Sequence, residues 1–297
     1  MTGLQLLAQN IVGGLGIGCV YALIALGFSL IYRTMGLVNF AQGNLLMFGT
    51  YLGLTFYMGL LGMGKFSPLI AFLAGIILCG LIGIGLERLF RPLANLDLSY
   101  ILVGTIGIGI MLDNIANHVW GSEGIVVPAP IANNEINVGG VRIAPYIFIV
   151  MAMTVLLVIG LQLFLTRTNF GRGLRASAQD REIAACFGIP VNAMNAVAFA
   201  VGAGLAAAAG LLIAPMIYVN PAIGDSLGIK GFVAAIIGGL GDLPGAVIGG
   251  LLFGVIETVI SGYISSSYTD LIAYLLLTVI LIVRPEGLLG ARTVEKV

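Results

Sequence analysis

Nine apolar runs follow one another along this chain with little between them. They lie near residues 11–31, 44–62, 68–86, 98–117, 144–165, 195–218, 227–241, 245–264 and 269–283. A membrane-spanning helix needs about 20 mostly apolar residues, in a range of about 17–25. The runs at 227–241 and 269–283 fall short of that, so each is expected to be tilted into its neighbours, broken or re-entrant. Charged residues make up 9% of the chain, against about 25% in a soluble domain. So little charge cannot cover a water-facing surface. The expected fold is an all-α polytopic membrane protein, one transmembrane domain over residues 1–297, with nine crossings and eight as the alternative. The 44 glycines agree, because helices in lipid approach closely over small residues. Membrane lipid is the expected surrounding, and a formal net charge of zero gives no long-range attraction to nucleic acid.

Orientation is read from Lys and Arg in short loops. With nine crossings, Arg33, then Arg88 and Arg91, then Arg167, Arg172, Arg175 and Arg181, and finally Arg284, Arg292 and Lys296 all fall on one side. That side is expected to be the cytoplasm, with the N-terminus outside and the C-terminus inside. No basic residue precedes Arg33, so residues 11–31 read as a retained span and not as a cleavable signal peptide. The outer loop 119–143 contains "INVGGVRI", whose alternation about Gly139-Gly140 reads as a short hairpin with a primed turn. "GFSLIY" (27–32) and "GLLIAPMIY" (210–218) each close a span and precede a break and a glycine-rich run. Residues 11–117 and 195–283 are therefore candidate repeats, inverted relative to each other, with the fifth span and a loop at 166–192 between them. Inverted repeats place a transport pathway at their interface. Chance likeness between glycine-rich helices is the competing account.

Catalytic signatures are missing. His118 is the single histidine, so a His-based zinc site is excluded, and no metal or cofactor is expected. There is no G-x-x-x-x-G-K-[ST] loop and no G-x-S-x-G elbow, so any ATP hydrolysis must come from another chain. Cys19, Cys79 and Cys186 are scattered without metal or disulfide spacing. The polar residues inside apolar runs are few. Asn39, Gln42 and Asn44 follow the first span between Gly36 and Gly43, as unwound backbone that is tolerated only in protein or beside water. They line a path or gate, or they cap a helix in a turn. Asp113 and Asn117 share a helical face near the outer end of the fourth span, with Asn114 and His118 beside it. They form a polar vestibule, or they merely cap that end. Glu257 lies deep in "GAVIGGLLFGVIETVISG" and needs a partner. Lys230, at similar depth on the preceding span, is the expected one. Gly245/Gly249 and Gly250/Gly254 in that span are small-xxx-small pairs.

Four stretches carry a resemblance over nearly the whole chain: "YALIALGFSLIYRTMGLVNFAQGNLLMFGTY" (21–51), "GLRASAQDREIAACFGI" (173–189), "GIKGFVAAIIGGLGDLPGAVIGGLLFGVIE" (228–257) and "RPEGLLG" (284–290). Together they resemble the LivH-type permease, the inner-membrane subunit of the branched-chain amino acid ABC importer. The resemblance implies a second permease subunit of the LivM type, two cytoplasmic ABC ATPases and a periplasmic substrate-binding protein. It implies transport of leucine, isoleucine and valine, with relatives for other amino acids, urea or short amides left open. It also gives residues 171–187 a role as the helix that docks on the ATPase, carried by Gly171, Arg172, Arg175, Ala176, Asp180, Ala184 and Gly188. That stretch reads as one helix about 24 Å long, stopped by Gly188 and Pro190. A positive anchor that only fixes topology is the other reading. A stand-alone secondary transporter would need coupling ions, for which the spans offer little beyond Asp113 and Glu257. A membrane-embedded enzyme lacks its catalytic groups.

Overall fold

The structure of the protein is a computed structural model, which describes residues 3–92, 98–131, 136–138, 141–263, 268–284 and 286–290. Among the described residues, eleven α-helices make up nearly all of the fold. They are α1 (Gly3–Met35), α2 (Gln42–Met58), α3 (Pro68–Phe90), α4 (Leu98–Trp120), α5 (Tyr146–Arg167), α6 (Asn169–Gln179), α7 (Arg181–Cys186), α8 (Val191–Ile213), α9 (Ile223–Gly238), α10 (Leu243–Tyr263) and α11 (Thr269–Val283). Local chemistry sets several of their ends. Ser67 caps α3 ahead of Pro68, and Thr168 caps α6. The Asp242 carboxylate accepts from the Gly245 amide at the start of α10. Gly59, at φ 71, closes α2 in the left-handed region. Strands β1 (Ile136–Val138) and β2 (Val141–Ile143) pair antiparallel, with Ile136 opposite Ile143 and Val138 opposite Val141. The hairpin read from "INVGGVRI" is thus present, although its Gly139-Gly140 turn lies outside the described residues.

α1 is the axis of the bundle. It packs along α10 and touches α8, α9 and α5, and its residues from Cys19 to Ile31 are buried on every side. A helix that is apolar all round belongs in such a place. Its contact with α10 is backbone against backbone. A Cβ built on Gly254 would sit 2.3 Å from the Gly18 Cα, and one on Gly250 would sit 2.4 Å from the Ala22 Cα. The other face of α10 does the same to α9, where a Cβ on Gly249 would meet the Ala234 carbonyl at 2.3 Å. The two small-xxx-small pairs therefore serve two different neighbours. Elsewhere α3 lies along α8, α2 against both, and α4 against α2.

Among the described residues, six helices are long and apolar enough to cross a membrane: α1, α3, α4, α5, α8 (with the 3-10 turn that extends it) and α10. α2, α9 and α11 have 17, 16 and 15 residues, so alone they rise only about 22–26 Å. The nine expected crossings thus resolve into six full-length helices and three short ones. The run at 44–62 was expected to span, yet α2 begins inside the bundle. Gln42 lies against Gly27, eight residues in from the end of α1.

Arg33, Arg88 and Arg175 lie toward one end, whereas Lys65 beside Gly59 and Arg142 in β2 lie toward the other. Gly241 faces the Tyr32 ring and the Arg33 Cα. Arg33, Leu165, Arg175 and Leu243 border one small gap, and Gly83 near the Arg88 end of α3 meets Phe199 in the first half of α8. At the opposite end a bridge joins Ile125 to Val219, and Tyr146 donates to the Leu212 carbonyl.

One helix predicted as continuous is broken. Residues 171–187 fold as α6 and α7 with Asp180 extended between them, at φ −157 and ψ 117. The Asp180 side chain accepts from the Ile183 amide at 2.9 Å, so it starts a second helix instead of continuing the first.

The glycine contacts give a direct stability test. Gly254→Val should abolish the α1–α10 packing, because overpacking costs about 1–3 kcal/mol even where side chains can shift, and here the obstacle is backbone. Gly85 is the control, since a Cβ at that position would meet nothing within 4 Å. Gly85→Ala should leave stability within about 1 kcal/mol of wild type. Thermal unfolding of the detergent-extracted protein, followed by fluorescence size exclusion, measures both. Equal melting of the two variants would contradict the packing.

Candidate functional site: a polar junction of two interrupted helices

The chain leaves α1 at Gly36, whose φ of +70 only glycine adopts freely. It then turns back into the bundle instead of leaving it. Residues 36–41 are non-helical, and protein groups hold several of their backbone amides. The Phe40 amide donates to the Thr105 hydroxyl at 3.2 Å, and the Ala41 amide to the Asn39 carboxamide oxygen at 3.1 Å. Irregular backbone at membrane depth survives only under such cover. α8 ends likewise in a 3-10 turn at Ala214–Met216 before α9 begins. The first turns of α2 and α9 then meet. A Cβ on Gly43 would lie 2.2 Å from the Gly224 carbonyl and 2.8 Å from the Gly228 Cα. The N-terminal ends of both helices, each carrying partial positive charge, thus converge on one spot.

Polar side chains gather there. The Asn44 amide nitrogen donates to Asp225 Oδ1 at 3.3 Å. Asn44, Asp113 and Asp225 line a cavity of about 400 Å³ whose other walls are apolar, among them Phe28, Phe40, Ile110 and Phe232. Of the residues predicted for a path, the structure brings Asn44 and Asp113 to this cavity. It places Gln42 elsewhere: buried between α1 and α8, it donates to the Gly202 carbonyl at 2.9 Å. Asn39 is fully buried as a turn-former. Asn114 donates to the Ile110 carbonyl, and Asn117 bonds Asp113 and Ser122 locally, as helix-end groups do. Asp225 was missed, because an acidic residue in the first turn of a helix reads as a dipole complement. The sequence signal was that it stands third in α9, as Asn44 stands third in α2.

A second cluster lies on the other side of α9. Lys230 Nζ is 2.7 Å from Glu257 Oε1, so the two residues expected to pair are side by side. Lys230 also reaches Asp270 Oδ1 at 3.0 Å, a third member that sequence reading missed at the start of α11. Near the basic end, buried Glu87 pairs with Arg91 at 2.7 Å.

On the 166–192 loop, Arg172 and Arg175 are exposed, Ala176 is half-buried, and Gly171 is packed under the end of α5. Gly188, at φ +78, closes α7 as expected. Ala184, however, is 4% exposed. It packs mainly against the chain itself, in contrast to its exposed neighbours on α7. The exposed apolar groups there are Phe170, Ile183 and Phe187, the last 82% accessible.

A bundle of this kind, with a polar junction between two interrupted helices in an otherwise apolar interior, defines a polytopic α-helical membrane protein of the transport class. The comparisons agree. The model for the family described as branched-chain amino acid transport system / permease component matches residues 10–281. A Pseudomonas aeruginosa high-affinity branched-chain amino acid transport system permease protein, BraD, is 38% identical, with 97% of each chain covered. The Salmonella typhimurium LivH permease protein is 35% identical over 97% of each chain. A Methanocaldococcus jannaschii protein described as a probable LivH permease is 31% identical over 90% of this chain and 88% of that one. The chain belongs to this permease family.

The three-charge cluster predicts an asymmetry. Lys230→Met leaves two carboxylates without a cation, whereas Glu257→Gln leaves Lys230 its bond to Asp270. Removing one member of a buried pair costs about 3–5 kcal/mol. Lys230→Met should therefore reduce folded protein in the membrane far more than Glu257→Gln, and the double variant should recover part of the loss. Quantified membrane levels and melting temperatures measure this. Equal and additive losses would contradict the arrangement.

Proposed function

We propose that the chain is the membrane-embedded permease subunit of an ABC importer that moves branched-chain, hydrophobic amino acids across a bacterial inner membrane. Likeness over 97% of the chain to permeases whose names carry that substrate class is the observation that supports this most. The junction cavity is compatible with such a cargo. Its carboxylates and amide suit an ammonium group, and its phenylalanines and isoleucines suit an aliphatic side chain. The partners are a LivM-type permease, two cytoplasmic ATPases and a periplasmic binding protein. The chain itself is not an enzyme in this reading.

An inverted repeat fits the packing. Exchanging α1 with α8, α2 with α9, α3 with α10 and α4 with α11 turns the most extensive neighbouring pairs into neighbouring pairs: α1–α10 into α8–α3, α1–α9 into α8–α2, α2–α3 into α9–α10, and α4–α2 into α11–α9. In this reading the junction cavity sits on the pseudo-two-fold axis, where repeat interfaces place their pathway. The end carrying Arg33, Arg91, Arg167 and Arg284 is the cytoplasmic one. The 166–192 loop, with Ile183 and Phe187 exposed on it, is the part that meets the ATPase.

Uptake of radiolabelled leucine into vesicles that contain all the subunits tests the function, with urea and acetamide as competitors. ATP-dependent leucine uptake insensitive to both is expected. Uptake of the amides instead would favour the related amide importers. The coupling surface has its own test in Ile183→Asp combined with Phe187→Asp. An uncompensated carboxylate in a dehydrated contact costs at least about 3 kcal/mol, over a hundredfold in affinity at about 1.4 kcal/mol per tenfold. The double variant should reach the membrane normally, lose the ATPases on purification and stop uptake. ATPases that stay bound would move docking to another surface. Orientation is read from Ser122→Cys and Glu182→Cys in a background without native cysteines. Ser122→Cys should label with an impermeant thiol reagent in intact cells, and Glu182→Cys only after lysis.

A further inference from the structure

Two cavities flank α9. One is the junction cavity with Asp113 and Asp225. The other, about 270 Å³, lies between α9 and α11 and is lined by Asp225, Ser226, Lys230 and Asp270 among others. Their depth follows from α9 itself. Its Gly238 end touches the start of α10, next to Gly241 and the Arg33 end of α1. Lys230 and Asp225 stand eight and thirteen residues before Gly238, which is about 12 Å and 20 Å inward at 1.5 Å per residue. The hydrocarbon layer is about 30 Å thick, so both lie well within it. Asp270 shares the depth of Lys230, which it touches, yet its side chain is 67% exposed. Ile110 and Tyr274, which line the two cavities, are exposed as well.

A carboxylate facing acyl chains at that depth costs at least about 2.5 kcal/mol. Another flank of the bundle looks different. The groove between α3, α5 and α8 is walled by Ile77, Leu81, Leu156, Leu161 and other apolar groups only, and lipid covers such a surface without cost. We infer that the face formed by α4, α9 and α11 seals against the second permease subunit, and that this subunit presents cationic or hydrogen-bond-donating side chains to Asp270 while it closes the open side of the junction cavity, leaving Asp113 and Asp225 to the cargo. The inference rests on the two-permease reading above and adds to it the face and its chemistry. An identical copy would bring the same carboxylates to the seam from both sides, since a two-fold interface uses one patch twice, and the doubled negative charge there is repulsive. A related subunit of different sequence avoids that.

The test uses the assembled transporter in membranes. Ile110, Tyr274 or Leu156 is replaced, one at a time, by the photo-cross-linking residue p-benzoylphenylalanine, and the products are identified by mass spectrometry. Adducts to a second, different permease from positions 110 and 274, with none above background from 156, are expected. Permease adducts from 156 but not from 110 and 274 overturn the face while leaving the two-permease reading intact. Adducts from 110 and 274 to another copy of this same chain overturn the claim about the partner's chemistry. A purified, ATPase-competent transporter that contains no second permease removes the reading itself, and the inference with it.

Discussion

The polar junction in this protein is organised by one contact without side chains, the meeting of Gly43 with Gly224 and Gly228. Because no Cβ stands between them, the first turns of α2 and α9 touch. Two helix N-termini then point into the same region of the bundle, with Asn44 and Asp225 hydrogen-bonded across it. A larger residue at any of the three would push the two helices apart and separate those side chains. The surrounding glycine contacts have a related effect, since α10 can lie on α1 and α9 at once only because Gly249, Gly250 and Gly254 leave room.

This arrangement reconciles two demands that oppose each other. The interior must exclude water, and it does so with an axis helix buried on every side. A pathway for an amphiphilic solute needs polar groups at depth, and unpaired ones are costly. The chain meets both by concentrating its deep charges around α9. Lys230 holds Glu257 and Asp270 on one side, and Asn44 holds Asp225 on the other. Motions of α9 would therefore be felt at both cavities, whereas the α3–α5–α8 flank carries no such groups along its groove.

Much of this was legible in the sequence, and the reasons differ from place to place. The Lys230–Glu257 pair could be read because each residue stands at a countable distance from a helix end, and antiparallel neighbours then fix the depth. The α10 glycines could be read as contact faces, but not assigned to their two neighbours. Asp225 and Asp270 were passed over because each lies in the first turn of its helix, where an acidic group normally needs no further account. The break at Asp180 was missed for a related reason. An aspartate three residues before Ile183 is a capping pattern, but the helix-forming residues on both sides hid it.

The claim that α2 and α9 start side by side within the membrane can be tested on one chain. Asn44→Cys and Asp225→Cys are combined in a background lacking Cys19, Cys79 and Cys186, with a protease site placed in the 121–135 segment. A short bifunctional thiosulfonate is added, and the chain is then cut. The account predicts that the two fragments stay joined in the double variant and separate in each single one. Separation of the fragments in the double variant, with both thiols shown to be reactive, would contradict it.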